Sequence, residues 1–352
     1  MDCGPINFGY RLAALFVRKL RSLARRIARI IFPPPQIVGP RLEIDLVREL
    51  EIAHANGTAP AALPHAAPYQ WANACHDLFE SGRIDVARFA AAHLHARYPE
   101  IPYLAKLTAL LDAAPRDASV PIAFTDDPTA EIQIVRRAGA DKVMLCFCAA
   151  EGTLGMPLNF VHQWLGRLPV SLVYIKDFQN LSGGAGLPTL GPDRDSAIAA
   201  LRRIVREIGG KTIYSFGVSL GGYAALYYGL ELEAVSVLSL CGAADYTPHF
   251  VSTIGPIPKA YLALCERAPD YLKSLRDSCI ASADRTRVLW VYSARFPRDQ
   301  MQAERIAGLS NVELIAVNYA QHNVIDPLIR RGEFLPLLDR FLTFEPAAKR
   351  NG

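Results

Sequence analysis

The chain has 352 residues, of which 51% are hydrophobic and 20% are charged. This is the composition of an ordinary globular protein with a sizeable core, and it excludes a chain too polar to fold. The net charge of +4 is unevenly distributed, because residues 1–42 hold eight basic residues and one acidic residue. That segment carries +7, so the remainder of the chain is mildly acidic at −3.

Residues 8–32 predict a basic amphipathic helix that ends before three consecutive prolines. Leucine and isoleucine side chains occupy one face and arginines the other. The segment is too charged to span a bilayer, and it lacks the continuous apolar stretch of a signal peptide. We expect it to bind the anionic inner face of a membrane; the alternative is packing against this chain or a second subunit. Nucleic acid is not expected as a partner, because no known reading motif accompanies the charge.

Residues 36–117 predict a small helical region after the basic arm of residues 1–35. Apolar residues recur at helical spacing over 42–55 and again over 69–114, with an alanine- and proline-rich linker between them. The seven cysteines contain no C-x-x-C pair, so we expect reduced thiols in a cytoplasmic protein and neither a metal site nor a cofactor.

Seven short apolar runs follow and alternate with helical segments. They are Glu131–Arg136, Lys142–Cys148, Val170–Ile175, Thr212–Phe216, Ala234–Leu240, Val288–Tyr292 and Val312–Val317. Such alternation predicts an α/β domain over residues 118–345, with a mostly parallel sheet and helices on both faces. Residues 346–352 are expected to form a tail.

The fourth run leads into the sequence Gly217-Val218-Ser219-Leu220-Gly221, which precedes a segment of small and apolar residues at helical spacing. Strand, G-x-S-x-G and helix together form a nucleophile elbow, in which a serine is exposed on a sharp turn. The two glycines allow that turn because they have no Cβ atoms to clash. Ser219 is therefore the predicted nucleophile.

Residues 118–344 resemble the α/β-hydrolase superfamily in this elbow, in an acid after a later strand and in a late histidine. The resemblance implies a Ser219–His322–Asp299 triad, since His322 and Asp299 follow the last two predicted strands. Glu304 and Asp245 are alternative acids. The resemblance also implies an oxyanion hole formed by the backbone N–H of Leu220 and that of Ala149 or Ala150.

Two further features of this region have open interpretations. Asp177 follows the third strand, where it could contact substrate or orient the oxyanion loop; a loop-capping role is the alternative. Residues 241–284 interrupt the alternation of strands and helices and are rich in proline and apolar side chains. In the resembled superfamily, an insertion at this point often forms a lid.

The expected activity is hydrolysis of an acyl ester by a serine nucleophile through an acyl-enzyme, without a cofactor. The substrate would be a small-molecule or glycan acyl ester. An acyltransferase with a sugar or alcohol acceptor would use the same triad, and a non-catalytic binding module would use the same fold. The complete Ser-Asp-His set argues against the binding module.

Overall fold

Seven strands form one sheet in a computed structural model that describes residues 45–61, 66–115, 123–149, 152–254 and 259–343. The strands are β1 (Ile132–Val135), β2 (Lys142–Phe147), β3 (Ser171–Ile175), β4 (Thr212–Val218), β5 (Ser236–Leu240), β6 (Arg287–Ser293) and β7 (Val312–Val317). Their order in the sheet is β1-β3-β2-β4-β5-β6-β7. Among the six strand pairs that the structure describes, only β1–β3 is antiparallel. The predicted mostly parallel α/β sheet is confirmed.

Helices cover both faces of the sheet, which explains why β3 and β5 are buried along their whole length. Alternate side chains of β2 lie on opposite faces of the sheet. Met144 and Cys146 belong to one apolar core, and Val143 and Leu145 belong to the other. From Val143 to Phe147 each side chain therefore has a buried environment, and this part of the strand is apolar without interruption.

Within the described residues four helices precede the sheet, and the predicted helical region is confirmed. They are α1 (Leu46–Asn56), α2 (Pro68–Glu80), α3 (Ile84–Arg97) and α4 (Pro102–Asp112). Their buried side chains, among them Trp71 and Leu94, join the same core as Met144 of the sheet. The same core contains residues of α5 (Leu158–Leu165), α12 (Ile325–Arg330) and α13 (Phe334–Leu342), and the sequence analysis did not predict α13.

The opposite core lies between the sheet and another set of helices. They are α6 (Arg194–Glu207), α7 (Leu220–Glu231), α8 (Pro248–Thr253), α9 (Lys259–Arg267), α10 (Arg276–Ala281) and α11 (Pro297–Glu304). Three of these, α8 to α10, lie in the insertion over 241–284. Tyr271 of the insertion donates a hydrogen bond to the carbonyl oxygen of Ser182 at 2.5 Å, so the insertion contacts the loop after β3. Its role as a lid remains a prediction.

The predicted amphipathic helix over 8–32 lies outside the described residues. Among the helices that the structure does describe, none combines the length and the apolar composition that crossing a membrane requires. The proposed boundaries at residues 35, 117 and 345 remain predictions.

Candidate active site

Ser219 lies in a strained turn between β4 and α7. Its backbone φ of 56° is in the left-handed region, which is unfavourable for residues with a Cβ. Its N–H donates to the carbonyl oxygen of Leu240 at 2.9 Å, which ties the turn to the end of the neighbouring β5. The turn is tight: a Cβ at Gly217 would lie 2.5 Å from the carbonyl carbon of Gly221. The sequence pattern of the elbow and its geometry therefore agree.

A chain of two hydrogen bonds connects Ser219 to a buried carboxylate. Oγ of Ser219 lies 2.8 Å from Nε2 of His322, and Nδ1 of His322 lies 2.7 Å from Oδ1 of Asp299. A carboxylate can only accept, so the proton on the imidazole is assigned to Nδ1. Nε2 is then free to accept the proton of the serine hydroxyl.

Parallel strands bring these three residues together from distant parts of the chain. Ser219 follows β4, Asp299 follows β6 and His322 follows β7, so all three lie at the carboxyl edge of the sheet. Only a short loop separates β6 from α11. Pro297 begins α11, because its fixed φ suits the first turn of a helix, and Asp299 lies in that turn.

Burial differs sharply between the acid and the base. Asp299 is 2% exposed, whereas the side chain of His322 is 39% exposed. The histidine loop is held by Asn323, whose side-chain amide donates to the carbonyl oxygen of Gly155 at 2.5 Å. The sequence analysis overlooked Asn323, although it directly follows the predicted base. The site thus combines a shielded carboxylate with an imidazole that water can reach.

The backbone N–H groups predicted to form the oxyanion hole differ in their hydrogen bonding. Leu220 is the first residue of α7, where backbone N–H groups lack partners within the helix. The N–H of Ala149, by contrast, donates to the carbonyl oxygen of Thr153 at 2.6 Å, so it is not available to a substrate in this structure. Ala150 lies outside the described residues. The loop after β2 nevertheless reaches the elbow, since a Cβ at Gly221 would lie 2.5 Å from the carbonyl oxygen of Cys148.

Two other acidic residues considered from the sequence have partners of their own. Asp177 accepts backbone hydrogen bonds from Gln179, Leu181 and Gly183 at 2.7–2.9 Å, which supports the loop-capping interpretation. Asp245 is fully buried and accepts from Arg305 at 2.9 Å and from Thr247.

Glu304, the other alternative acid, is exposed at the carboxyl end of α11. Of the three acids, Asp299 is the one that contacts His322.

A cysteine beside the site was not singled out from the sequence. One ring nitrogen of His322, one carboxylate oxygen of Asp299 and Sγ of Cys241 all lie within 4.8 Å of one another. Three such groups could in principle hold a metal ion, but a metal requires the thiolate. Burial, together with the Asp299 carboxylate, raises the pKa of the Cys241 thiol well above its ordinary value, which disfavours that form.

No protein-family model and no curated protein matches the sequence. Solved structures with a similar arrangement include a lipase-esterase related protein from Clostridium acetobutylicum, at 16% identity and a TM-score of 0.40; the match covers 60% of this chain and 100% of that one. MenH from S. aureus matches at 14% identity and a TM-score of 0.41, over 61% and 98% of the two chains. A capsule O-acetyltransferase of Neisseria meningitidis serogroup A matches at 11% identity and a TM-score of 0.41, over 59% and 91%.

The fold follows from features of this chain itself. A mostly parallel sheet carries a strand–serine–helix elbow at its carboxyl edge, with an acid and a histidine after later strands in the order Ser, Asp, His. The body of this protein therefore has the α/β-hydrolase fold.

Proposed function

We propose that this protein is a serine hydrolase that cleaves acyl esters through an acyl-enzyme on Ser219. The observation that carries the proposal is the continuous hydrogen-bonded chain from Ser219 Oγ through His322 to Asp299. A hydroxyl group is a weak nucleophile unless a base removes its proton, and the imidazole is within reach to do so. The same arrangement of roles recurs on unrelated folds, so the roles follow from geometry.

In the first half of the reaction, Oγ of Ser219 attacks the acyl carbonyl carbon while Nε2 of His322 takes the hydroxyl proton. The imidazolium then gives that proton to the leaving alcohol. Asp299 keeps the imidazole in its Nδ1–H tautomer and stabilises the imidazolium that forms. The shielding of this carboxylate from water strengthens the stabilisation, because little solvent screens the charge.

The negative charge that develops on the carbonyl oxygen needs donors near the elbow. Ser219 immediately precedes α7, so the oxygen would meet the unpaired N–H groups and the positive dipole end of this helix. The N–H of Leu220 is the proposed donor from this side. A second donor from the loop after β2 would have to be other than Ala149, and Ala150 remains the proposal.

In the second half, an acceptor attacks the acyl-enzyme and His322 activates it. Water is the proposed acceptor, because the side chain of His322 is 39% exposed and solvent therefore reaches this imidazole. The substrate class, a small-molecule or glycan acyl ester, is a proposal from the chemistry of the triad. Transfer of the acyl group to a sugar or alcohol is the alternative, and a direct measurement of the products distinguishes it from hydrolysis.

Fluorophosphonate labelling tests the nucleophile. The wild-type protein should be labelled, and peptide mapping should place the label on Ser219 alone; Ser219→Ala should remove it while circular dichroism stays unchanged. Ser252→Ala is the matched control and should label normally, because Ser252 is exposed and its hydroxyl donates to the carbonyl oxygen of His249. Labelling that survives Ser219→Ala would refute the assignment. A panel of acyl esters, assayed with and without sugar acceptors, then separates hydrolysis from transfer.

A further inference from the structure

Cys241 occupies a costly backbone conformation beside the site. It follows the last residue of β5 and has a φ of 50°, in the left-handed region. Its N–H donates to the carbonyl oxygen of Val291 at 2.7 Å, which continues the pairing of β5 with β6. Glycine would adopt this conformation with little strain, and residues held in it cluster at functional sites. The side chain at this position therefore invites a physical explanation.

The second oxygen of Asp299 supplies one. Oδ1 bonds to His322, but Oδ2 is buried and has no partner that satisfies hydrogen-bond geometry among the described residues. A buried carboxylate oxygen left without a donor costs free energy, and an unheld carboxylate can rotate away from the imidazole. In other triads the orientation of the acid is what sets the tautomer of the histidine.

The thiol of Cys241 is a donor close to this carboxylate, although it makes no hydrogen bond to Oδ2 in the structure. Cys241 is 3% exposed, and its Sγ belongs to the group of atoms within 4.8 Å that includes an Asp299 oxygen and a His322 nitrogen. Burial and the carboxylate together raise the pKa of this thiol, so it carries its proton at neutral pH. The groups that act on it are the Asp299 carboxylate and the backbone at Val324 and Ser293.

We propose that Cys241 is a positioning residue for the triad: a small movement brings its nearby S–H group to Oδ2 of Asp299, where it donates and holds Oδ1 toward Nδ1 of His322. This inference rests on the proposed function and assigns Cys241 no contact with substrate. A thiol is a weak donor. It therefore restrains the carboxylate while withdrawing little of the negative charge that stabilises the imidazolium.

Two variants that remove the donor and one that keeps it form the test. Cys241→Ala removes the thiol, and Cys241→Gly does so while suiting the left-handed backbone, so at least one of them should fold. Cys241→Ser retains a hydroxyl donor. Cys279→Ala is the matched control, since Cys279 is also fully buried but lies in α10 of the insertion.

Turnover and its pH dependence are measured first. We expect kcat to fall about tenfold in the donor-less variants with little change in KM, as for loss of one weak bond to a charged group. The acid limb of kcat/KM should move to lower pH, because a carboxylate that can rotate away stabilises the imidazolium of His322 less. Cys241→Ser should restore both values, and Cys279→Ala should change neither. An unmoved acid limb in both donor-less variants, or a serine variant as impaired as the alanine variant, would refute the proposal.

A second readout does not require catalysis. The Nδ1 proton of His322, hydrogen-bonded to Asp299, should give a low-field proton resonance in the wild type. That resonance should shift in the donor-less variants and stay in place in Cys241→Ser and Cys279→Ala; an unchanged resonance in Cys241→Gly would also refute the hydrogen bond. If the wild-type protein shows no Ser219-dependent turnover, the proposed function is refuted. The inference about Cys241 is then still tested, because the resonance reports on the Cys241–Asp299 contact.

Discussion

Replacing Asp299 by asparagine removes one negative charge and leaves the shape of the side chain unchanged. Two orientations of the new amide are available, and both impair the site. If the NH₂ group of the asparagine faces His322, Nδ1 must accept a hydrogen bond from it. Nε2 then carries the imidazole proton and can no longer take one from Ser219. With its oxygen toward His322, the tautomer survives, but nothing offsets the positive charge of the imidazolium.

The size of the loss follows from the geometry. Oδ1 and Nδ1 are 2.7 Å apart; the carboxylate is 2% exposed and the imidazole 39%, so solvent screens the pair in part. At an effective dielectric constant of about 20, two charges centred about 4 Å apart attract by about 4 kcal/mol. At about 1.4 kcal/mol per factor of ten, this charge term alone contributes about 10³ in rate. The tautomer penalty brings the expected loss in kcat to about 10⁴, the value known for this change in a serine protease triad.

Steady-state hydrolysis of an activated acyl ester measures this loss, with thermal melting as the check on folding. Asp245→Asn is the matched control: its carboxylate is at least as buried, but it bonds to Arg305 and Thr247 rather than to the histidine. We expect the control to melt at a lower temperature and to keep kcat within a few fold. A kcat near the wild-type value in Asp299→Asn, together with a strongly reduced kcat in Asp245→Asn, would refute this reasoning. The triad acid would then be Asp245, in the loop after β5.

Gly221→Ala should lower stability by about 3 kcal/mol or more, because its Cβ would lie 2.5 Å from the carbonyl oxygen of Cys148, and backbone cannot move aside. Gly209→Ala, with no atom within 4 Å of its Cβ but a φ of 82°, should cost only about 1 kcal/mol in urea unfolding. Burial raises the pKa of Cys279 from 9.0 to about 12. The thiol therefore loses its proton more easily in the unfolded chain, and the stability that Cys279 contributes below pH 9 is lost as the pH rises to about 12. The melting temperature should therefore fall less steeply over this pH range in Cys279→Ala than in the wild type. Residues 8–32 should bind anionic vesicles at low salt and release them at high salt, and deletion of residues 1–35 should abolish co-sedimentation; a full-length protein that ignores such vesicles would contradict this.

The elements and their order were predictable because they depend on short stretches of sequence. An apolar run of five to seven residues indicates a buried strand wherever it lies, and glycines on either side of a serine mark the sharp turn that Ser219 occupies. Parallel strands also end at one edge of the sheet, so residues directly after them were expected to meet there. That argument selected Ser219 and His322 and favoured Asp299 as the acid, with Glu304 and Asp245 as alternatives.

Only the tertiary structure decided which polar groups pair with each other. The 2.7 Å contact of Asp299 with His322, and the separate bonding of Asp245 to Arg305, depend on how β5, β6 and β7 align, and no local pattern encodes that alignment. The N–H of Ala149 is likewise engaged by a carbonyl four residues later, at Thr153. Hydrogen bonds act over about 3 Å, whereas residues such as Ser219 and His322 are 103 positions apart in the chain. Which side chains become partners therefore depends on the folded sheet.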